Sequence, residues 1–480
     1  MKNDIALSSS GWQGAVDDGL TEENILQWAQ AFIRYLFQSR GMQATVRVAI
    51  GYDGRKNSRG YASLVAEALS ENGVDVLLSS GVVPTPVVSF ATKHNNCTSG
   101  IMITGGHYPP EYNGIEFKGA YGGPLLPEEL AKVESLLSNS TKESVGPSKA
   151  SRKEITQFDF LPDYLSHLET VIDFSALRSF AKNPKNTANV LIDSMGGAAQ
   201  TIIEDLLVRC GWRAQTLFGT PEDQFFDRSP EPASENLDAL KYNVKVIDAQ
   251  FGIATDASGG RCGIVYNDGE WMNLQETILA LLYHLYVQRR DRGNIFKPAF
   301  VTDRVKRLSD NWNIPLLDTG LENGIENMFK NDCLLGIVGR GGYCYGKDLP
   351  DCDGILSGLY FAEMIAKAEK PLKEIIQHIC DIAGKAYYGS IDIASDISAA
   401  NLVHNLRVSL PKHFNDMGEC SVDTYKWREE VKGIKYRWDE NRWLLIEPLA
   451  FKSMIRLHSE AESEEDLLTL LANGKKWLAH

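Results

Sequence analysis

The chain of 480 residues has no apolar run approaching the roughly 18 residues that a membrane span needs, so no membrane is expected as a partner. It has no excess of positive charge: 49 Lys and Arg stand against 63 Asp and Glu, a formal net charge of −14. A nucleic-acid binder needs a basic face, and nucleic acid is excluded as the main partner. The chain also lacks any C-x-x-C pair. Its eight cysteines are scattered at 97, 210, 262, 333, 344, 352, 380 and 420, which fits thiols in a reducing cytosol; the spacing of Cys344 and Cys352 does not support a metal site. The opening MKNDIALSSSGWQG has no apolar core of signal-peptide length, and a cytoplasmic protein is expected.

What is present is globular, with 43% hydrophobic residues and Gly and Pro spread throughout. The length is too great for one core and predicts about three or four domains. The stretch that organises the chain is Gly100–Gly123, GIMITGGHYPPEYNGIEFKGAYGG. A short apolar strand runs into a Gly-rich turn, His107 to Pro110 stiffen the loop, and Asn113-Gly114 turns into a second strand. Strands that end in glycine loops are where α/β proteins place reactive groups. Yet no serine, threonine or cysteine stands where a nucleophile is expected.

Along the chain, Thr21 reads as a helix N-cap with acid in the first turn. A strand over Val46–Ile50, a helix over Ser58–Glu71, a strand over Val74–Leu78 and a helix opened by VPTP follow. This alternation predicts a mixed sheet flanked by helices. KESVGPSKASRK, at 142–153, reads as a linker. The pattern restarts at Val190–Asp193, with Gly196-Gly197 opening a helix, a helix over Ser234–Val244 and a strand over Phe251–Ala254 running into the turn Thr255–Arg261. A third unit has a helix over Leu274–Tyr286 and a strand over Leu335–Val338. Arg289, Arg290 and Arg292 suit the negative end of that helix. The last unit has strands at Gly433–Trp438, Trp443–Glu447 and Met454–Ser459, then a helix over Glu464–Ala472; Trp271, Trp443 and Trp477 read as packing residues. The predicted class is α/β: three similar α/β/α mixed-sheet domains and a smaller C-terminal α+β domain around a central cleft, bounded at 1–145, 155–262, 263–385 and 386–480.

Four units that each present one loop resemble the α-D-phosphohexomutase superfamily, the phosphoglucomutases and phosphomannomutases. GYDGRKNS is similar to the family's first βα turn, PTPVVSFA and the stretch from Gly100 to its phosphoserine approach, SPEPASENLDAL to the stretch before its metal loop, and DGILSGL to the segment after its sugar loop. Trp443–Ala461 resembles the fourth-domain loop and its following strand. The resemblance implies a phosphoserine, a Mg²⁺ on three carboxylates, a sugar-gripping glutamate and a phosphate clamp. Phosphoryl transfer by such a site is mostly positioning and charge stabilisation.

Each loop departs from the family pattern. Against T-A-S-H-N-P, Thr104, His107 and Pro109 remain, but the serine falls on Gly106. Thr104 sits two residues back, about 6–7 Å away along an extended chain. The family's acid/base lysine becomes Glu116, a carboxylate that would repel phosphate; Lys118 shares its strand face and is the candidate substitute. His107 reads as a loop brace. Against D-G-D-G-D-R the chain has Asp256, Ala257, Ser258, Gly259, Gly260 and Arg261, with Ser258 and Gly260 replacing ligands. Mg²⁺ requires anionic oxygens in good geometry, so Asp256 alone should hold it weakly and no cofactor is assigned. Against G-E-x-S-G the third loop reads GRGGYC, with Arg340 for the glutamate, and Lys347 and Asp351 make the loop charged. The fourth, R-P-S-G-T-E-P, becomes Glu447–Ser453, with an apolar tip and Lys452. Gln13 replaces the arginine of S-G-x-R-G. Arg261, Arg340 and Lys452 are the candidate substrate contacts.

The resulting expectation is a family homologue related to hexose-phosphate metabolism, without mutase activity, acting as a binding or regulatory protein. An active family paralogue or another protein is its expected partner, and sugar-phosphate binding is expected to be weak. The alternative is an active enzyme, mutase or sugar-phosphate phosphatase, that uses altered residues such as His107 and Lys118. A third reading is a cleft turned to uncharged or cationic ligands, suggested by Glu116, Glu447 and the apolar tip of the fourth loop.

Overall fold

Strands alternating with helices build the first domain, as the computed structural model shows. Described are residues 6–7, 11–16, 19–41, 45–137, 152–320, 328, 332–346, 349–394, 419–427, 430–449 and 454–478. Residues 142–151 of the linker expected at 142–153, Lys347, the fourth-loop tip at 450–453 with Lys452, and the side chain of Trp477 lie outside them. The chain forms two compact units, Met1–Met272 with Gly339–Lys373, and Asn273–Val338 with Glu374–His480.

In the first unit, strands β1 (Ala6–Leu7), β2 (Gly11–Ala15), β3 (Arg47–Tyr52), β4 (Asp75–Ser79), β5 (Ser99–Ile103), β6 (Tyr112–Gly119) and β7 (Ile155–Phe158) form one sheet. Its order is β1-β2-β6-β5-β3-β4-β7. β5, β3, β4 and β7 run parallel, and β6 is antiparallel to both of its neighbours, β5 and β2. The helix Glu22–Arg40 starts where the sequence places it: the Thr21 hydroxyl accepts from Asn24 N at 3.2 Å, with Glu22 and Glu23 in the first turn. That helix buries Trp28 and Phe32 against Trp12 and Phe117, with Phe32 and Phe117 stacked at 4.4 Å. Each such ring contributes about 1.5–3 kcal/mol of burial.

The second sheet holds β8 (Asn189–Asp193), β9 (Arg213–Leu217), β10 (Phe251–Thr255), β11 (Cys262–Tyr266) and β12 (Trp271–Met272) in the order β12-β11-β10-β8-β9. Two sequence expectations shift here. No helix opens at Gly196; Met195, Gly196 and Gln200 have φ of 53°, 71° and 49°, so the chain turns left-handed first and the helix spans only Ile202–Val208. The segment after Ser234 is a 3₁₀ turn, Ser234–Asn236, followed by a helix, Asp238–Val246.

The second unit contains the helix Leu274–Tyr283, which Asn273 and Glu276 cap reciprocally, and a wide turn, His284–Gln288, that continues it. Arg292 donates to the Tyr286 carbonyl at 3.3 Å, as expected of a cation at a helix end. Strands β13 (Asn294–Pro298), β14 (Leu316–Gly320) and β15 (Cys333–Val338) pair in parallel, with β13 central. In the first unit again, β16 (Gly342–Tyr345) and β17 (Leu349–Cys352) form a hairpin that leads into the helix Gly354–Ala368. The second unit ends in an antiparallel sheet of β18 (Tyr387–Ala394), β19 (Ser421–Trp427), β20 (Glu430–Asp439), β21 (Arg442–Leu449) and β22 (Met454–Ala461), ordered β18-β22-β21-β20-β19. The final helix runs from Glu464 to Leu478. Among the described residues, no helix is long and apolar enough to cross a membrane.

Candidate functional site

The first loop is built around one arginine. β3 ends in a turn that carries Asp53 and Arg55, and β5 delivers the 104–112 loop beside it. Arg55 donates to four loop carbonyls, Gly106 at 2.7 Å, Tyr108 at 2.6 Å, Pro109 at 2.8 Å and Tyr112 at 2.9 Å. These acceptors take up all four terminal N–H groups of the guanidinium. Asp53 pairs with the Arg55 Nε at 3.3 Å and accepts from the hydroxyls of Ser58 at 2.7 Å and Thr104 at 2.6 Å. Burial pulls the Arg55 pKa below its usual value, against the opposing pull of Asp53. Phe225 covers the guanidinium at 4.8 Å.

Gly106 adopts φ +56°, and a Cβ there would meet nothing nearer than Gln13 Nε2 at 4.0 Å. Gly105 has no such room, because a Cβ would lie 2.8 Å from the Tyr112 carbonyl. The two positions that the sequence singles out, Gln13 and Gly106, are therefore neighbours. Gln13 is buried, and its Oε1 has no partner among the described residues. Thr104 is fully buried, and besides donating to Asp53 its hydroxyl accepts from Gly106 N at 2.9 Å. His107 stacks on Tyr108 at 4.9 Å.

Lys118 and Glu116 share a face of β6, as their spacing requires. The lysine sits 3.1 Å from Glu116 and 2.8 Å from Asp351, and Ser89 donates to the same Asp351 oxygen at 2.5 Å. Glu116 is thus a buried ion-pair partner. Burial alone would lower the Lys118 pKa, but Asp351 and Glu116 hold it above its usual value. An ammonium engaged by two carboxylates is poorly placed to act as a general acid.

In the second loop Asp256 is buried between β10 and β11. One of its oxygens accepts from Ser258 Oγ at 2.8 Å and the other from Arg261 N at 3.0 Å. Burial raises its pKa, with Arg261 opposing. Ser258 Oγ also accepts from Gly260 N at 3.3 Å, which closes the turn. Among the described residues no cluster of three or more His, Cys, Asp or Glu could hold a metal. One buried carboxylate with both oxygens engaged does not fit Mg²⁺, which demands several oxygens in octahedral geometry.

The third loop ties back to the second. Arg261 donates to the Arg340 carbonyl. Arg340 itself reaches Glu231, at 2.7 Å. Gly339 and Gly341, at φ 60° and 80°, allow the close turn beneath Arg261. In the second unit, Glu447 ends a chain of hydrogen bonds: His458 lies 3.2 Å from Glu447 and 2.7 Å from the Tyr388 hydroxyl.

The structure thus brings together Gln13 with Gly106 and Arg261 with Arg340. Sequence reasoning missed Arg55 and Glu231 as organisers. The GYDGR turn holding Arg55 offered a signal, a charged pair immediately after a buried strand.

Three consecutive segments match the domains of one family: residues 5–144 match phosphoglucomutase/phosphomannomutase alpha/beta/alpha domain I, 162–269 domain II and 275–382 domain III. The chain belongs to the phosphoglucomutase/phosphomannomutase family of the α-D-phosphohexomutase superfamily, with three mixed-sheet α/β/α domains and a fourth built on an antiparallel sheet. It is 27% identical over 463 residues to a Methanobrevibacter smithii protein named "Probable phosphoglucosamine mutase", covering 95% of this chain and 94% of that one. It is 24% identical to the phosphoglucomutase/phosphomannomutase of Thermococcus kodakarensis, covering 98% and 97%. A solved structure from Thermus thermophilus, provisionally named a phosphomannomutase, superposes over all of both chains with a TM-score of 0.82 and 26% identity.

Proposed function

We propose that this chain is a hexose-phosphate mutase homologue that does not perform the mutase reaction and acts as a cytoplasmic binding or regulatory protein. The observation that carries the reading is the commitment of four loop cations among the described residues to the chain itself. Arg55 is engaged by loop carbonyls, Lys118 by Glu116 and Asp351, Arg261 by the Arg340 carbonyl and Arg340 by Glu231. A phosphate entering these loops would have to displace backbone carbonyls at Arg55 and Arg261 and carboxylates at Lys118 and Arg340. Gly106 adds no nucleophile, and loss of a covalent nucleophile alone commonly costs about 10⁴–10⁶ in rate.

The test is an assay of the purified chain with the 1-phosphates of glucose, mannose and glucosamine, each with its bisphosphate activator and Mg²⁺. No turnover is expected. Turnover within the usual range of about 1–10³ s⁻¹ would sink the proposal. An active family paralogue is the proposed partner, and the two proteins are expected to co-purify from the native cell.

A further inference from the structure

Cys344 on β16 and Cys352 on β17 face one another across the hairpin, as partners in its antiparallel register. Their sulfurs are 3.5 Å apart, and neither cysteine is in a disulfide. Directly opposed residues of an antiparallel pair have Cα atoms about 4.5–5.5 Å apart. Disulfides span about 4.4–6.8 Å, so the backbone is already at bridging distance and only the sulfurs must approach. Cys344 is 1% exposed, whereas Cys352 is partly open to solvent. We propose that this pair is an oxidation site, at which a hydroperoxide converts the two thiols into a cross-strand disulfide.

The chemistry balances with the peroxide as the only co-reactant. The Cys352 sulfur attacks one peroxide oxygen. An S–O bond forms, the O–O bond breaks, and the departing oxygen takes the thiol proton, leaving as water or an alcohol. The Cys344 sulfur then attacks the sulfenic sulfur of Cys352. The S–S bond forms, the S–O bond breaks, and the hydroxide takes the Cys344 proton and leaves as water. Two thiols lose two electrons and the peroxide gains them.

The surroundings of five of the six other cysteines favour this pair. Burial pushes the Cys97 thiol up to about 11 and also raises those of Cys210, Cys262, Cys380 and Cys420. Thiols held protonated react slowly, because the thiolate is the nucleophile. The bridge would also stiffen the third loop. Asp351 carries the contacts to Lys118 and Ser89. Asp353 N donates to the Tyr343 carbonyl at 3.2 Å, and Gly354 N to the Gly259 carbonyl of the second loop at 3.0 Å.

The experiment uses the full chain, reduced and then treated with hydrogen peroxide at one equivalent. Free thiols are alkylated in denaturant and the protein is cut with trypsin. Lys347 lies between the two cysteines, so a bridge would join two tryptic peptides that separate on reduction. The expected result is that linked pair, restored to thiols by dithiothreitol, with slower amide exchange at 342–345 and 349–352 in the oxidised protein. Cys352→Ser should abolish the linkage, and Cys344→Ala should leave Cys352 as a sulfenic acid that a dimedone probe traps. Alkylation of both cysteines to the same extent before and after oxidation would overturn the proposal. So would a disulfide joining either one to a different cysteine or to a second chain.

Discussion

Two buried lysines, one in each unit, sit in opposite surroundings. Lys118 in the first unit is 1% exposed and has two carboxylates, Glu116 and Asp351, for its one charge. Lys435 in the second is fully buried, 3.9 Å over the Trp443 ring, and donates to the Ala299 carbonyl at 2.9 Å. Asp303, 3.9 Å from it, already serves Lys297 at 2.9 Å and Arg437. Glu460 on β22 is taken by Arg304, at 2.9 Å. Burial disfavours the charge of both lysines. At Lys118 the two carboxylates win, and the pKa rises. At Lys435 burial and the repulsion of Lys297 win over Asp303, and the pKa falls to about 7. The ratio of carboxylates to cations, not depth alone, decides which lysine keeps its proton.

The largest expected effect breaks the first cluster. Lys118→Met leaves Glu116 and Asp351 buried without their cation, and breaking such a pair typically costs about 3–5 kcal/mol. The urea midpoint should fall accordingly; a loss near zero would mean that the carboxylates are hydrated.

pH separates the two lysines. The folded pKa of Lys435, about 7, lies below the unfolded value, so between them the unfolded chain binds more protons. Stability should therefore rise with pH, by about 2 kcal/mol from pH 7 to pH 9 on account of this residue. Lys118 has the opposite sign: its raised pKa gives a contribution that is fully present below the ordinary lysine pKa, so it is level across that window. Lys435→Met should flatten the rise between pH 7 and pH 9 and Lys118→Met should not. Equal slopes in wild type and Lys435→Met would refute the assignment.

These clusters also mark how far the sequence can be read. The strands, the Thr21 cap and the shared face of Lys118 and Glu116 are legible, because apolar runs, capping chemistry and the two-residue period of a strand are local. Asp351 is not, since it lies 233 residues from Lys118 and only the fold joins them. Arg55 reads as part of a scaffold turn because its acceptors are backbone carbonyls, which a sequence does not display. Arg340 and Glu231 are separated by 109 residues. The departures from the family pattern are visible one by one. The partners that occupy the remaining cations are invisible.

The smallest effect asks whether the missing hydroxyl or the occupied lysine closes the first loop to chemistry. Gly106→Ser restores the residue of the family pattern at a position with space, since nothing lies within 4.0 Å of a new Cβ except Gln13 Nε2 at that limit. The cost is conformational: φ +56° disfavours any side chain, by roughly 1–2 kcal/mol. The variant should unfold at slightly lower urea and remain folded. With Lys118 still bound to Glu116 and Asp351, and Asp256 still alone in its loop, the new hydroxyl gains no charged partner for a phosphoryl group. Incubation with glucose 1,6-bisphosphate should leave the mass of the variant unchanged. Phosphorylation of Gly106→Ser at the substituted position would show that the glycine alone separates this chain from the family's reaction, and that the pairing of Lys118 does not obstruct it.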